Sequence, residues 1–179
     1  FPIEKSVTVL KYFIKKILSN IKIPNFRDKI YIRRDDVSYR KILNESDLIK
    51  KLRENNFEII NPNHFEILEQ IKIFSNAKII LSPNGSNLSN IIFCKKGTKV
   101  IEIGASFLKP YEYNILNRYK NLATMIGLDY SKVTGDSVDV DEHSLVAKKY
   151  INEKILNESN YYKNIILKLS DINELVNNL

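Results

Sequence analysis

Ile79-Ile80-Leu81-Ser82-Pro83-Asn84-Gly85-Ser86-Asn87-Leu88-Ser89-Asn90-Ile91-Ile92-Phe93 is the stretch on which the fold turns. The apolar run at 79–81 stops at a small, polar, glycine-containing turn, and apolar residues resume beyond it at helical spacing. That order reads as a strand, a loop and a helix N-terminus. In an α/β sheet this is where backbone N–H groups face an anion. Gly85 has no Cβ, so a ligand or another backbone segment can come close. The Asn and Ser side chains beside it add short hydrogen-bonding arms. A well-capped strand–helix turn that binds nothing explains the same residues equally well.

Outward from this turn the chain alternates. Residues 5–20 place Val7, Leu10, Ile14, Ile17 and Leu18 at helical spacing, with Lys11, Lys15 and Lys16 opposite. Such a basic amphipathic helix suits a membrane surface, but packing on a sheet is the expectation. Pro24 and Asn25 break the chain. Residues 29–33 read as a strand, and 46–56 as a helix with Leu48, Ile49 and Leu52 inward. Residues 57–60 form the next strand, and 64–77 a helix with Ile67, Leu68, Ile71 and Phe74 on its inner face. A strand at 78–81, a helix near 86–94 and a strand at 99–103, between Gly97 and Gly104, follow. Residues 110–127 read as a helix, with a short strand near 128–133. The polar stretch 134–160 carries one expected helix near 144–156. Asp171-Ile172-Asn173-Glu174 reads as a capping box opening a last helix, with Ile172, Leu175, Val176 and Leu179 inward. Strands alternating with helices imply a Rossmann-like α/β fold, a mainly parallel sheet of at least four strands with helices on both faces.

Composition narrows the function. The chain has 179 residues, enough for one good core, and is 44% hydrophobic and 27% charged, as soluble globular proteins are. No apolar run approaches the roughly 20 residues of a membrane span, and no secretory leader pattern is present. A first residue of Phe suggests a piece of a longer protein. The single cysteine, Cys94, follows Ile91-Ile92-Phe93 and reads as a buried, inert thiol in a reducing compartment. The net charge of +7 comes from lysines spread along the whole chain, which a solvated surface explains. Aromatic and basic residues do not interleave as in RNA-binding sheets, so nucleic acid is not the expected partner. His64 and His143 have no partners at metal-ligand spacing. Asp139-Val140-Asp141 spells D-x-D, but in poorly patterned sequence that reads as a solvated loop. No metal, no cofactor and no Ser/His/Asp triad is expected.

Ligands of such sheets bind at the carboxyl ends of the strands. Arg33, Arg34, Asp35, Asp36 and Arg40 follow the first strand, Asn61 to His64 the second, and the Asn84-Gly85-Ser86-Asn87 turn the third. Gly104, Ala105 and Ser106 follow the fourth, which contains Glu102. Arginines converging on a helix N-terminus suit phosphate, because the guanidinium fork matches its oxygens. Local ion pairs to Asp35 or Asp36 are the plainer reading of Arg33 and Arg34.

Arg33-Arg34-Asp35, then Arg40, then Asn44-Glu45 resembles the "RRD…R…NE" signature of glycosyltransferase family 61. The resemblance continues through Glu69-Gln70, Phe74 and Ala77, and over the glycine turn, which is similar to "G-x-H-G-A-x-L-x-N-x-x-F". It closes on Lys96-Gly97-Thr98 and Val100-Ile101-Glu102-Ile103, like "P-G-T-x-V-I-E". It implies a GT-B architecture and inverting transfer from a nucleotide sugar, UDP-linked by expectation, to a glycan acceptor. Surface or capsular polysaccharide assembly in a bacterial cytoplasm is the implied setting, with peripheral membrane contact left open. This chain would be the nucleotide-sugar-binding half, with an N-terminal helix and linker over 1–25 and the domain over 26–179. The acceptor half, and with it the general base, would lie outside the chain. On the same grounds Arg33, Arg34 and Arg40 are candidates for the diphosphate, and Glu45 matches the "NE". Asn84, Gly85, Ser86 and Asn87 supply donors at the turn, and Glu102 would accept from ribose hydroxyls. Asn44 reads first as a helix N-cap, and Gln70 and Asn90 as supporting residues. The family commonly has His where Asn84 stands. A non-catalytic nucleotide-binding or scaffolding domain is therefore the alternative, and a nucleic-acid-binding domain the remoter one.

Overall fold

The computed structural model describes residues 3–19, 27–35, 37, 39–105, 117–139 and 163–177. Its centre is a six-stranded sheet in the order β2-β1-β3-β4-β5-β6. The strands are β1 (Lys29–Ile32), β2 (Glu58–Ile60), β3 (Ile79–Pro83), β4 (Lys99–Ala105), β5 (Asp129–Val138) and β6 (Asn164–Ile166). Pairings from β2 through β5 are parallel, and β6 closes the edge antiparallel to β5. The parallel register of β1 on β3, Lys29 with Ile79 and Tyr31 with Leu81, is the pairing the alternation required. The sheet is mixed and mostly parallel. Its central apolar runs, Ile30-Tyr31-Ile32 and Ile80-Leu81, are buried on both faces, as central parallel strands must be.

Period-two alternation sorts these side chains into two cores. Ile30, Ile32, Ile80 and Val100 pack with Phe74, Leu88, Ile91 and Ile126. That face is covered by α3 (Ile67–Asn76), a 3-10 segment at Ser86–Phe93 and α4 (Arg118–Ile126). Tyr31, Leu81, Ile101 and Ile103 pack on the opposite side with Leu48, Leu52, Ile172 and Leu175. There the cover is α2 (Glu45–Glu54) and α5 (Leu169–Asn177). Each fully buried Ile or Leu contributes roughly 1.5–3 kcal/mol relative to exposure. The first helix, α1 (Ile3–Leu18), contacts α3. It buries Ile14, and Lys11 Nζ donates to the Ile126 carbonyl at 3.4 Å. It therefore packs on the domain, while Val9, Tyr12 and Phe13 stay exposed.

Several elements differ from expectation. The segment after the glycine turn is an eight-residue 3-10 helix, not an α-helix. Its buried residues, Leu88 and Ile91, are three apart, which aligns them on one face at three residues per turn. The α3 helix begins at Ile67, after a 3-10 turn at Pro62–His64, and is opened by a Glu66/Glu69 capping box. Ile67 and Leu68, expected inward, lie exposed in its first turn, ahead of the part that meets the core. β5 runs ten residues, well beyond 133. Its distal half carries alternating exposed residues and so gave little apolar signal. Gly135 is where β6 crosses closely: an added Cβ would sit 2.7 Å from the Ile166 carbonyl oxygen. β6 itself, three residues long, was not expected. The α5 helix starts at Leu169, so Asp171 lies in its first turn rather than capping it. The expected boundary near residue 25, the helix near 144–156 and the start of that at 110–127 lie outside the described residues.

Candidate functional site

The chain runs from β1 out to β2 and returns to β3 on the other side of β1. The strand order therefore reverses between β1 and β3, and the loops after these two strands leave the sheet side by side. In open α/β sheets a crevice forms at that reversal. Arg34 and Arg40 follow β1, and Asn84 and Gly85 follow β3.

Both arginines converge on Asn84. Arg34 Nη1 donates to its backbone carbonyl at 2.8 Å, and Arg40 Nη1 to its Oδ1 at 3.0 Å. Tyr39 braces both cations. Its ring centroid is 4.8 Å from the Arg40 guanidinium carbon and 5.9 Å from that of Arg34. Gly85 is extended (φ −178°), so its backbone places no demand for glycine. Space does: a Cβ there would stand 2.9 Å from Arg34 Nε. Arg40 itself has φ 56°, in the left-handed region that disfavours side chains by roughly 1–2 kcal/mol. Its neighbours hold it there. Lys41 N donates to Asn164 Oδ1 at 2.9 Å, and Ile42 bridges to Ile165. Local strain held by surrounding structure concentrates at functional sites.

Behind Asn84 lies a buried carboxylate. Asn84 is 4% exposed and Glu102 0%. Asn84 N extends the β3–β4 ladder by donating to the Ile103 carbonyl at 2.8 Å. Its Nδ2 donates to Glu102 Oε1 at 2.7 Å, and the Tyr130 hydroxyl to Glu102 Oε2 at 2.8 Å. Burial, and then the neighbouring Glu102 carboxylate, hold the Tyr130 phenol far above its usual range. Glu102, a candidate for the ribose hydroxyls, fixes which way the Asn84 amide points. That orientation presents Oδ1 to Arg40.

Arg33 and Glu45 form a separate cluster. Tyr31 OH donates to Glu45 Oε1 at 2.7 Å, and Arg33 Nη2 lies 3.3 Å from Glu45 Oε2 and 3.0 Å from Asp35. Burial and Glu45 raise the Tyr31 phenol well above the ordinary value. For Arg33 the local ion-pair reading is what the structure shows. Ser86 is exposed and Asn87 half-buried at the turn. Asn44 does not cap α2 with its side chain. It grips Leu167 instead, donating Nδ2 to its carbonyl at 2.7 Å and accepting its N–H at 3.1 Å. Asn90 donates to Gln70, and Gln70 to the Phe65 carbonyl, so both support the loop as expected.

Other candidates fall away from the crevice. Burial pushes the Cys94 thiol up to about 12, leaving it inert at neutral pH. Asp139 pairs with Lys163 at 2.9 Å. Among the described residues no group of three His, Cys, Asp or Glu is placed to hold a metal, and no helix is long and apolar enough to cross a membrane. Two residues of the site escaped the sequence reading. Tyr39 adjoins Arg40 in a basic stretch, a signal that could have been weighed. Tyr130 reaches Glu102 from a neighbouring strand, which no local pattern announces.

The fold is that of an α/β domain whose mostly parallel sheet reverses its strand order between β1 and β3, the position at which open α/β sheets form a ligand crevice. The glycosyltransferase 61 family profile matches residues 4–101, more than half of the chain, and the chain belongs to that family. The match takes in Arg34, Arg40, Asn84 and Gly85, and stops one residue short of Glu102. Similar proteins include the protein O-linked-mannose beta-1,4-N-acetylglucosaminyltransferase 2 of Mus musculus, 29% identical over 98 residues, covering 52% of this chain. Those of Bos taurus and Canis lupus familiaris are likewise 29% identical, covering 50% and 52% of it. Each match covers 16% of the relative's length.

Proposed function

We propose that this chain is the donor-binding part of a glycosyltransferase, a Rossmann-like half of a GT-B enzyme that holds a nucleoside diphosphate sugar, UDP-linked, for inverting transfer. The carrying observation is the convergence of Arg34 and Arg40 on buried Asn84 at the strand reversal. Charge builds on the diphosphate as the sugar–phosphate bond breaks, and fixed cations in a low-dielectric crevice stabilise it. Gly85 lets the Arg34 guanidinium lie against the backbone. Glu102 and Tyr130 act behind them, as the frame that aims Asn84.

The acceptor is a glycan hydroxyl. The motifs suggest surface polysaccharide assembly at the cytoplasmic face of a membrane, whereas the mammalian relatives are named for transfer to O-linked mannose. The base that activates the hydroxyl comes from outside the described residues on this reading. A non-catalytic nucleotide-binding role is the second reading, favoured by Asn84 at the family's His position. Turnover of UDP-sugar by the enzyme separates the two.

Calorimetric titration of UDP into the chain and its Arg40→Ala variant tests the site. Loss of one charged hydrogen bond costs about 1.5–3 kcal/mol, so affinity should fall roughly 10- to 150-fold. Equal affinities would remove Arg40 from the site.

A further inference from the structure

A third cation shares the face on which Asn84 meets Glu102. Register sets Glu102 of β4 opposite Lys132 of β5, and Ile103 opposite Val133. Tyr130 reaches Glu102 from this face, so Lys132, two residues on, projects from it as well. The Lys132 side chain does not stand upright beside Glu102. It lies forward across β4, with Cε 2.8 Å and Nζ 3.1 Å from where a Cβ at Gly104 would be. Gly104 is not in the left-handed region, and the tip of the lysine takes the space that a Cβ there would fill. Asn84 N bonds to the Ile103 carbonyl, which sets Asn84 next to Gly104 in the sheet. The ammonium is thus carried along β4 toward the corner where Arg34 and Arg40 converge. Both Glu102 oxygens accept from Asn84 and Tyr130, and among the described ion pairs none joins Lys132 to Glu102.

We propose that Lys132 is a third diphosphate-binding cation, its ammonium laid over Gly104 to meet a phosphate oxygen that the two arginines leave uncovered. The inference rests on the reading of this crevice as a nucleoside diphosphate site. A lysine suits the position because its compact charge and three donors meet a phosphate oxygen without fixed geometry. Gly104 then serves as the channel for its stem.

Lys132→Met keeps the stem and removes the charge, and Lys132→Gln repeats the test with a polar end. Each should weaken UDP binding by about tenfold in calorimetry, leave uridine binding unchanged, and leave thermal unfolding close to wild type. Gly104→Ala, with Lys132 retained, should push the stem aside and weaken UDP comparably, yet be silent in the Lys132→Met background. Unchanged UDP affinity in both Lys132 variants overturns the proposal, as does an equal loss for UDP and uridine. If Arg40→Ala weakens UDP binding and the Lys132 variants do not, only Lys132 leaves the site. If the wild-type chain binds no UDP, the donor-site reading falls and this assignment with it.

Discussion

Replacing Gly85 with Ala tests the geometry of the crevice through a single methyl group. The backbone at 85 is extended, so Ala fits it without strain. The new Cβ would stand 2.9 Å from Arg34 Nε, 3.1 Å from its Cδ and 3.3 Å from its Cζ. Ordinary contact begins at 3.4 Å, so the guanidinium must retreat by about 0.5 Å. That retreat falls on the 2.8 Å bond from Arg34 Nη1 to the Asn84 carbonyl and lengthens it to about 3.3 Å, the weak end of hydrogen bonding. On the proposed reading the same shift draws the guanidinium back from the diphosphate, and weakening in part a charged contact of about 1.5–3 kcal/mol should lower UDP affinity by up to about tenfold. The assay is a double-mutant cycle read by calorimetry. With Arg34→Ala in place nothing stands opposite the methyl group, and Gly85→Ala should then have no effect. Equal losses in the two backgrounds would refute the argument, because the methyl group would be acting on something other than Arg34.

Tyr130→Phe removes the donor to a carboxylate oxygen of a fully buried residue. It should cost about 1–3 kcal/mol, or roughly 2–12 °C in Tm by circular dichroism, and an unchanged Tm would deny the bond. The phenols of Tyr31 and Tyr130 are both raised on folding, so above the ordinary tyrosine range the folded chain binds more protons than the unfolded one. The stability they contribute is therefore full below about pH 10 and falls as pH rises further, and absorbance at alkaline pH should show these two ionising only with unfolding. Asn84→His should cost about 1–3 kcal/mol by overpacking a 4% exposed position, with little change in transfer rate. A large gain in rate at unchanged donor affinity would show that position 84 carries a proton.

The framework was legible because its signals are local. Ile30-Tyr31-Ile32, Ile79-Ile80-Leu81 and Val100-Ile101 are apolar runs that only a buried parallel strand accommodates, and their order set the sheet. Arg34, Arg40 and Asn84 are read from the sequence as candidates, and the structure brings these three together. What stayed hidden depended on distant partners. Asn44 stands at the N-cap of α2 as read, but its amide serves the backbone of Leu167, 123 residues away. Glu102 looked free to meet a ligand because nothing local reveals Tyr130 and Asn84 on its two oxygens. β6 and the distal half of β5 carry too little apolar pattern to announce a pairing that Gly135 makes possible.

The residue at position 84 now has a physical description. Its backbone N–H holds the β3–β4 ladder, its amide nitrogen serves Glu102 and its amide oxygen receives Arg40. A neutral His in the same place offers one ring donor and one ring acceptor. Those would be consumed in the same way, the donor on Glu102 and the acceptor on Arg40. No ring lone pair would then face an acceptor hydroxyl, so in this setting His would position the arginine just as Asn does. Asn84 therefore keeps the hydrogen-bonding pattern that a His there would make, without a titratable group. An inverting displacement needs its base on the side of the sugar opposite the leaving diphosphate. The Asn84 corner, with Arg34 and Arg40 directed at it, belongs on the proposed reading to the diphosphate side. A group other than residue 84 must then take the proton.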